Sequence, residues 1–62
     1  MTTIFLCEQA NGTFQVFGRY EGPDDRYVFG VSEYLTFWEA LKKARWMMTK
    51  FNGTSLERTA PK

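Results

Sequence analysis

A chain of 62 residues makes one domain and buries only about 60 % of the surface its unfolded form exposes. Its net charge of +1 gives no bulk attraction to nucleic acid or to an anionic membrane. With no histidine and a single cysteine, Cys7, an internal disulfide, a His/Cys metal site and a Cys–His pair are all excluded.

The opening M-T-T-I-F-L-C-E holds no basic region and no long apolar run, so neither a secretory signal nor a membrane span is expected. A lone thiol fits a reducing cytoplasm. The segments T-I-F-L-C-E-Q and T-F-Q-V-F-G-R-Y-E alternate as strands around Asn11-Gly12, a pair that favours a two-residue type I′ hairpin turn. That turn pairs Cys7 with Val16, Phe5 with Gly18 and Leu6 with Phe17. N-G-T recurs at Asn52; without a secretory signal both copies read as turns rather than glycosylation acceptors. The run Gly22-Pro23-Asp24-Asp25 predicts a second turn into R-Y-V-F-G-V. A four-residue loop there sets Glu21 opposite Arg26, Tyr20 opposite Tyr27 and Gly18 opposite Phe29.

From these registers one sheet face collects Phe5, Cys7, Phe14, Val16, Tyr20, Tyr27, Phe29 and Val31, with Gly18 leaving room for the rings of Phe5 and Phe29. This face is the expected core. The other carries a smaller apolar patch, Ile4, Leu6, Phe17 and Val28, among Glu8, Gln15, Arg19 and Arg26.

Thr36 is an N-cap, and Glu39 three residues on completes a capping box. The helix stops at Asn52-Gly53, with Gly53 as the left-handed residue. At about 100° per residue, Phe37, Ala40, Leu41, Ala44, Met48 and Phe51 form the stripe that packs on the sheet. Trp38 and Arg45 fall on its flank. Trp46 falls about 180° away, among Glu39, Lys42 and Lys50. In the tail Leu56 is the only sizeable apolar residue, which allows no more than a short edge strand over Thr54 to Arg58. The expected fold is α+β, in the order β-β-β-α-β. It is a three-stranded antiparallel meander with one helix on one face and that short fourth edge strand, in a single domain over 1–58 with a flexible tail over 59–62.

Reactive chemistry is sparse. The glycines lie at turns rather than gathered before a helix, so there is no phosphate loop. Asp24 and Asp25 are adjacent carboxylates, but an exposed turn lacks the burial that would set their pKa values apart for acid–base work. Cys7, on the expected core face, reads as an inert small hydrophobe. No enzyme activity, cofactor or metal is expected.

Binding surfaces are the better prospect, since Phe, Tyr and Trp supply 18 % of the chain, more than a core this small needs. Trp46 with Lys42, Lys43 and Lys50 is one: a tryptophan on a helix back face is either a partner anchor or lies over lysine stems or under the C-terminal tail. The patch of Ile4, Leu6, Phe17 and Val28 is another, to be covered by a fourth strand, a second copy in a homodimer, or a partner. The acidic turn of Glu21, Asp24 and Asp25, with Glu33 and Tyr34 towards the far end of the third strand, is the third and offers phosphate-like charge to a basic groove.

Two resemblances emerge from these motifs. The run from Thr13 to Ala44, with F-Q-V, Y-V-F-G-V and T-F-W-E-A-L-K-K-A, resembles three-stranded DNA-binding domains of the tyrosine-recombinase arm type and the ethylene-response family. That likeness implies a sheet entering the major groove through Arg19 and Arg26. The near-zero net charge ranks it second, because neutralisation of phosphates dominates DNA affinity. Size, element order, surplus aromatics and the helix Glu39-Ala40-Leu41-Lys42-Lys43-Ala44-Arg45-Trp46 resemble small phage-encoded inhibitors, of the anti-CRISPR type and of bacterial RNA polymerase. That likeness implies a stoichiometric blocker in the bacterial host cytoplasm, acting on a host protein or nucleoprotein complex such as a CRISPR effector; from its place on the helix, Trp46 is the expected anchor.

Overall fold

The computed structural model describes residues 1–53 and 55–59. Strands β1 (Thr2–Glu8), β2 (Phe14–Glu21) and β3 (Arg26–Tyr34) are followed by helix α1 (Phe37–Lys50) and strand β4 (Ser55–Thr59). The sheet runs β3-β2-β1-β4. β1, β2 and β3 form the expected antiparallel meander, and β4 joins parallel to β1 at the far edge. Because β3 and β4 run the same way at opposite edges, α1 must carry the chain diagonally over β2 and β1. The expected fourth strand thus exists over Ser55–Thr59; Thr54 and residues 60–62 lie outside the described residues.

The β2–β3 register follows the Gly-Pro-Asp-Asp turn as expected: Glu21 faces Arg26, Tyr20 faces Tyr27 and Gly18 faces Phe29. Gly22 N–H closes the loop on the Asp25 carbonyl at 2.8 Å. The β1–β2 register does not follow the type I′ expectation. Gln9 N–H donates to the Thr13 carbonyl at 2.8 Å and Gly12 N–H to the Gln9 carbonyl at 3.0 Å. The loop is therefore three residues, Ala10-Asn11-Gly12, with only Gly12 left-handed, at φ 88°. The Asn11 carboxamide stabilises it by accepting from Thr13 N–H at 3.1 Å and from the Thr13 hydroxyl at 2.7 Å.

That one extra loop residue pairs Phe5 with Phe17 and Leu6 with Val16, and it turns every β1 side chain to the other face. Ile4 and Leu6, expected on the uncovered face, are core residues; Phe5 and Cys7 point away from the helix instead. A second shift comes from a bulge in β3, where Gly30 and Val31 together oppose Phe17. Gly30 is left-handed, at φ 65°, a conformation that favours glycine, and a Cβ there would come within 2.8 Å of Met47 Cε, so the methionine end would have to shift. Beyond the bulge Ser32 and Tyr34 take the core-facing positions, and Val31 is exposed rather than in the core.

Ile4, Leu6, Val16, Ala40, Ala44 and Met47 form the buried cluster, with Phe14, Phe29, Tyr34, Phe37, Leu41 and Met48 packed around it. Full burial of Ile4, Leu6, Val16 and Met47 contributes roughly 1.5–3 kcal/mol each. Ala40 and Ala44 let the helix backbone approach the sheet, and the fully buried stripe is Ala40-Ala44-Met47, with Met47 taking the buried place expected of Met48. The Thr36 hydroxyl caps α1, accepting from Glu39 N–H at 3.3 Å and donating to the Glu39 carboxylate at 3.0 Å. At the other end Asn52, at φ 52°, takes the left-handed position expected of Gly53. Gly53 is small for another reason: a Cβ would sit 2.7 Å from Met48 Sδ.

Candidate protein-binding surface

With the buried stripe running through Ala44 and Met47, Trp46 lies on the helix flank, about 120° from its centre at 100° per residue. This takes it off the back of the helix. Trp38, expected on the flank, is the more exposed tryptophan, at 72 % against 50 %. The indole of Trp46 meets Phe51 edge-on at 6.0 Å, and Phe51 meets Phe29 at 4.9 Å. Phe29 continues to Tyr27 at 6.0 Å, and Tyr27 to Tyr20 at 5.2 Å.

Five rings from β2, β3 and the end of α1 thus form one continuous band on the helix side of the sheet. Gly18 makes it possible, since a Cβ there would run into the Phe29 ring. Between the rings opens a pocket of about 410 Å³ lined by Thr2, Tyr20, Tyr27, Phe29 and Phe51. The aromatic excess in the composition signals such a surface; its assembly depends on the helix azimuth, which the sequence pattern misplaces.

The expected lysines divide. Lys43 lays its ammonium 4.4 Å from the Trp46 ring centre, a cation–π contact that leaves much of the indole in solvent. Lys42 lines, with Lys43, Tyr34 and Glu39, a shallower depression of about 350 Å³ on the other side. Lys50 is exposed in the last helical turn. Asp24 and Asp25 are exposed in the turn that follows directly from the Tyr20–Tyr27 pair, so the band is bordered by acids at that end and by lysine at the other.

The face away from the helix differs from the expected patch. Ile4 and Leu6 have left it, and Phe5 takes their place, stacked on Phe17 with centroids 5.0 Å apart and planes 16° apart. The Arg19 guanidinium lies 4.9 Å over Phe5, and its Nε is bonded to Glu21 at 2.9 Å. Phe5 is in consequence only 8 % exposed. Val28 remains exposed there, towards the β3 edge.

At the N-terminal end of α1 a smaller aromatic group, Phe14, Phe37 and Trp38, is joined by edge contacts of 5.9 and 5.5 Å, with Arg58 of β4 4.4 Å from the Phe37 centroid. Leu35, two residues before Phe37, is 80 % exposed, an exposure the sequence pattern missed. Among the described residues no cluster of three His, Cys, Asp or Glu side chains could hold a metal ion, and no helix is long and apolar enough to cross a membrane. Comparison with protein families, with curated proteins and with solved structures finds no match.

Proposed function

We propose that this chain is a small non-enzymatic protein that works by stoichiometric protein–protein contact, anchored through the Tyr20–Tyr27–Phe29–Phe51–Trp46 band. The observation that carries the reading is the band itself. Trp46, Tyr27 and Phe51 are each 40 % or more exposed; Tyr27 and Phe51 line a concave, largely apolar opening and Trp46 abuts Phe51 beside it, although a chain this short gains little by leaving rings in water. Tryptophan and tyrosine dominate binding hot spots because they bury large area at low conformational cost. A mixed rim of Asp24, Asp25 and Lys43 suits a protein partner better than a polyanion.

The inhibitor role, with a bacterial protein or nucleoprotein complex such as a CRISPR effector as its target in the host cytoplasm, is the part of the proposal that rests on likeness to small phage-encoded inhibitors. The competing reading, a DNA-binding sheet, needs Arg19 and Arg26 free on the face away from the helix. Engagement of Arg19 by Glu21 and Phe5 counts against it.

The test is affinity capture of tagged protein from bacterial lysate, with and without nuclease, followed by titration of the purified pair. A one-to-one partner that survives nuclease and is lost with Trp46→Ala and Tyr27→Ala supports the proposal. Capture that disappears with nuclease, or that ignores both substitutions, overturns it.

A further inference from the structure

β3 is paired on one side only. It forms one edge of the sheet, and nine residues make a long edge. Tyr27, Val28 and Val31 on it are each more than half exposed. The opposite edge, β4, has five residues and carries the exposed charges Glu57 and Arg58, a common way of discouraging further pairing. β3 has no charge in its middle. Its two charges stand near its ends, Arg26 and Glu33, and neither makes an ion pair among the described residues. The carboxylate opposite Arg26 belongs to Glu21 and is held by Arg19 at 2.9 Å, while Glu33 faces Gln15.

We propose that β3 pairs antiparallel with β3 of a second copy of this chain, joining two four-stranded sheets into one of eight strands. A twofold axis at Phe29 sets Arg26 of each copy opposite Glu33 of the other, so the two unpaired charges satisfy each other twice. The same register sets Val28 opposite Val31 and Tyr27 opposite Ser32.

The bulge makes this register consistent. Arg26 and Glu33 are seven positions apart, so in a regular strand they would point to opposite faces. Gly30 and Val31 share one position against Phe17, which removes a step. Arg26, Val28, Val31 and Glu33 thereby come to one face, and Tyr27, Phe29 and Ser32 to the other. Every residue then meets one from the same face. A bulge on an edge ordinarily hinders pairing; here it recurs by symmetry, each time opposite the other copy's Val28. The pairing would also bring the two aromatic bands together at the axis through Phe29, which is distinct from a homodimer that stacks the faces away from the helix.

Sedimentation of the full chain from about 1 µM to about 1 mM reads the equilibrium directly. The wild type is expected to pass from monomer to dimer. Arg26→Glu and Glu33→Arg, each a charge reversal at an exposed site, should each raise the dimer dissociation constant about tenfold or more, with an unchanged far-ultraviolet circular dichroism spectrum. An equimolar mixture of the two variants should recover wild-type dimerisation, because each chain then supplies the charge the other lacks. A wild type that stays monomeric throughout overturns the proposal. So do variants that dimerise as the wild type does, or a mixture that fails to recover.

Discussion

The sheet carries an aromatic group on each face, and the two are built differently. On the helix side five rings meet mostly edge to face or tilted, leaving a pocket of about 410 Å³ and three well-exposed rings. On the other side Phe5 and Phe17 stack nearly parallel and Arg19 closes over them. No second layer covers Phe5 among the described residues, yet it is almost as buried as the core. Aromatic content alone therefore does not mark a binding surface. Unfilled concavity is what separates the two: the sealed pair has already satisfied its area within the chain, whereas the open band has not.

If that distinction is right, the largest effect on stability comes from the sealed side. Phe5→Ala should cost about 3 kcal/mol in urea unfolding, since it removes the ring from Phe17 and Arg19 at once. Capture of the partner should be unchanged under conditions where the variant stays folded. A loss below about 1 kcal/mol would mean that the stack is not sealed, and the two groups would then be alike.

The same pair of surfaces explains what could be read from the residues beforehand. The β2–β3 hairpin was legible because Gly22-Pro23-Asp24-Asp25 constrains its own backbone and because Gly18 can only sit under a ring. The β1–β2 hairpin was not, for a specific reason. Both parities of T-I-F-L-C are apolar, so hydrophobic alternation cannot choose between Ile4 with Leu6 and Phe5 with Cys7. The choice fell to Asn11-Gly12, which serves a two-residue loop with both residues left-handed or a three-residue loop with Gly12 alone. The Asn11 contacts to Thr13 decide for the latter. Likewise, adjacent Met47 and Met48 both fit a helical stripe. The vacancy above Gly30, a feature of the bulge and not of the helix, selects Met47. That rotation also moved Trp46 from the back of the helix to the flank, where it could join Phe51. Trp46 and Lys43 were thus identifiable as surface residues, but their neighbours in the band were not.

On the open side the order of effects reverses. Trp46→Ala should lower stability by no more than about 1 kcal/mol, the scale of one edge-to-face contact with Phe51 and one exposed cation–π contact with Lys43. Binding should weaken at least about thirtyfold, as expected for a hot-spot residue whose loss costs about 2 kcal/mol. Thermal melting and titration of the partner give the two numbers on one sample. A large fall in melting temperature with intact affinity would make Trp46 a prop of the fold, and the open band would lose its anchor.

The smallest effect tests what seals the other side. Arg19 joins Glu21 at 2.9 Å, with both side chains nearly half exposed, so the ion pair itself is worth a few tenths of a kcal/mol and is screened by salt. The guanidinium over Phe5 excludes water in a way salt does not touch. Arg19→Gln should therefore cost about 0.5–1 kcal/mol at low ionic strength, and at about 1 M sodium chloride a part of that cost should remain. Glu21→Gln removes only the pair, so its cost should vanish at high salt. If the two variants lose their effects together, Arg19 acts as a charge and not as a lid. Phe5 would then owe its burial to Phe17 and the strand neighbours alone. If Arg19→Gln also weakens partner binding, the sealed face takes part in recognition, and the division of labour between the two aromatic groups fails.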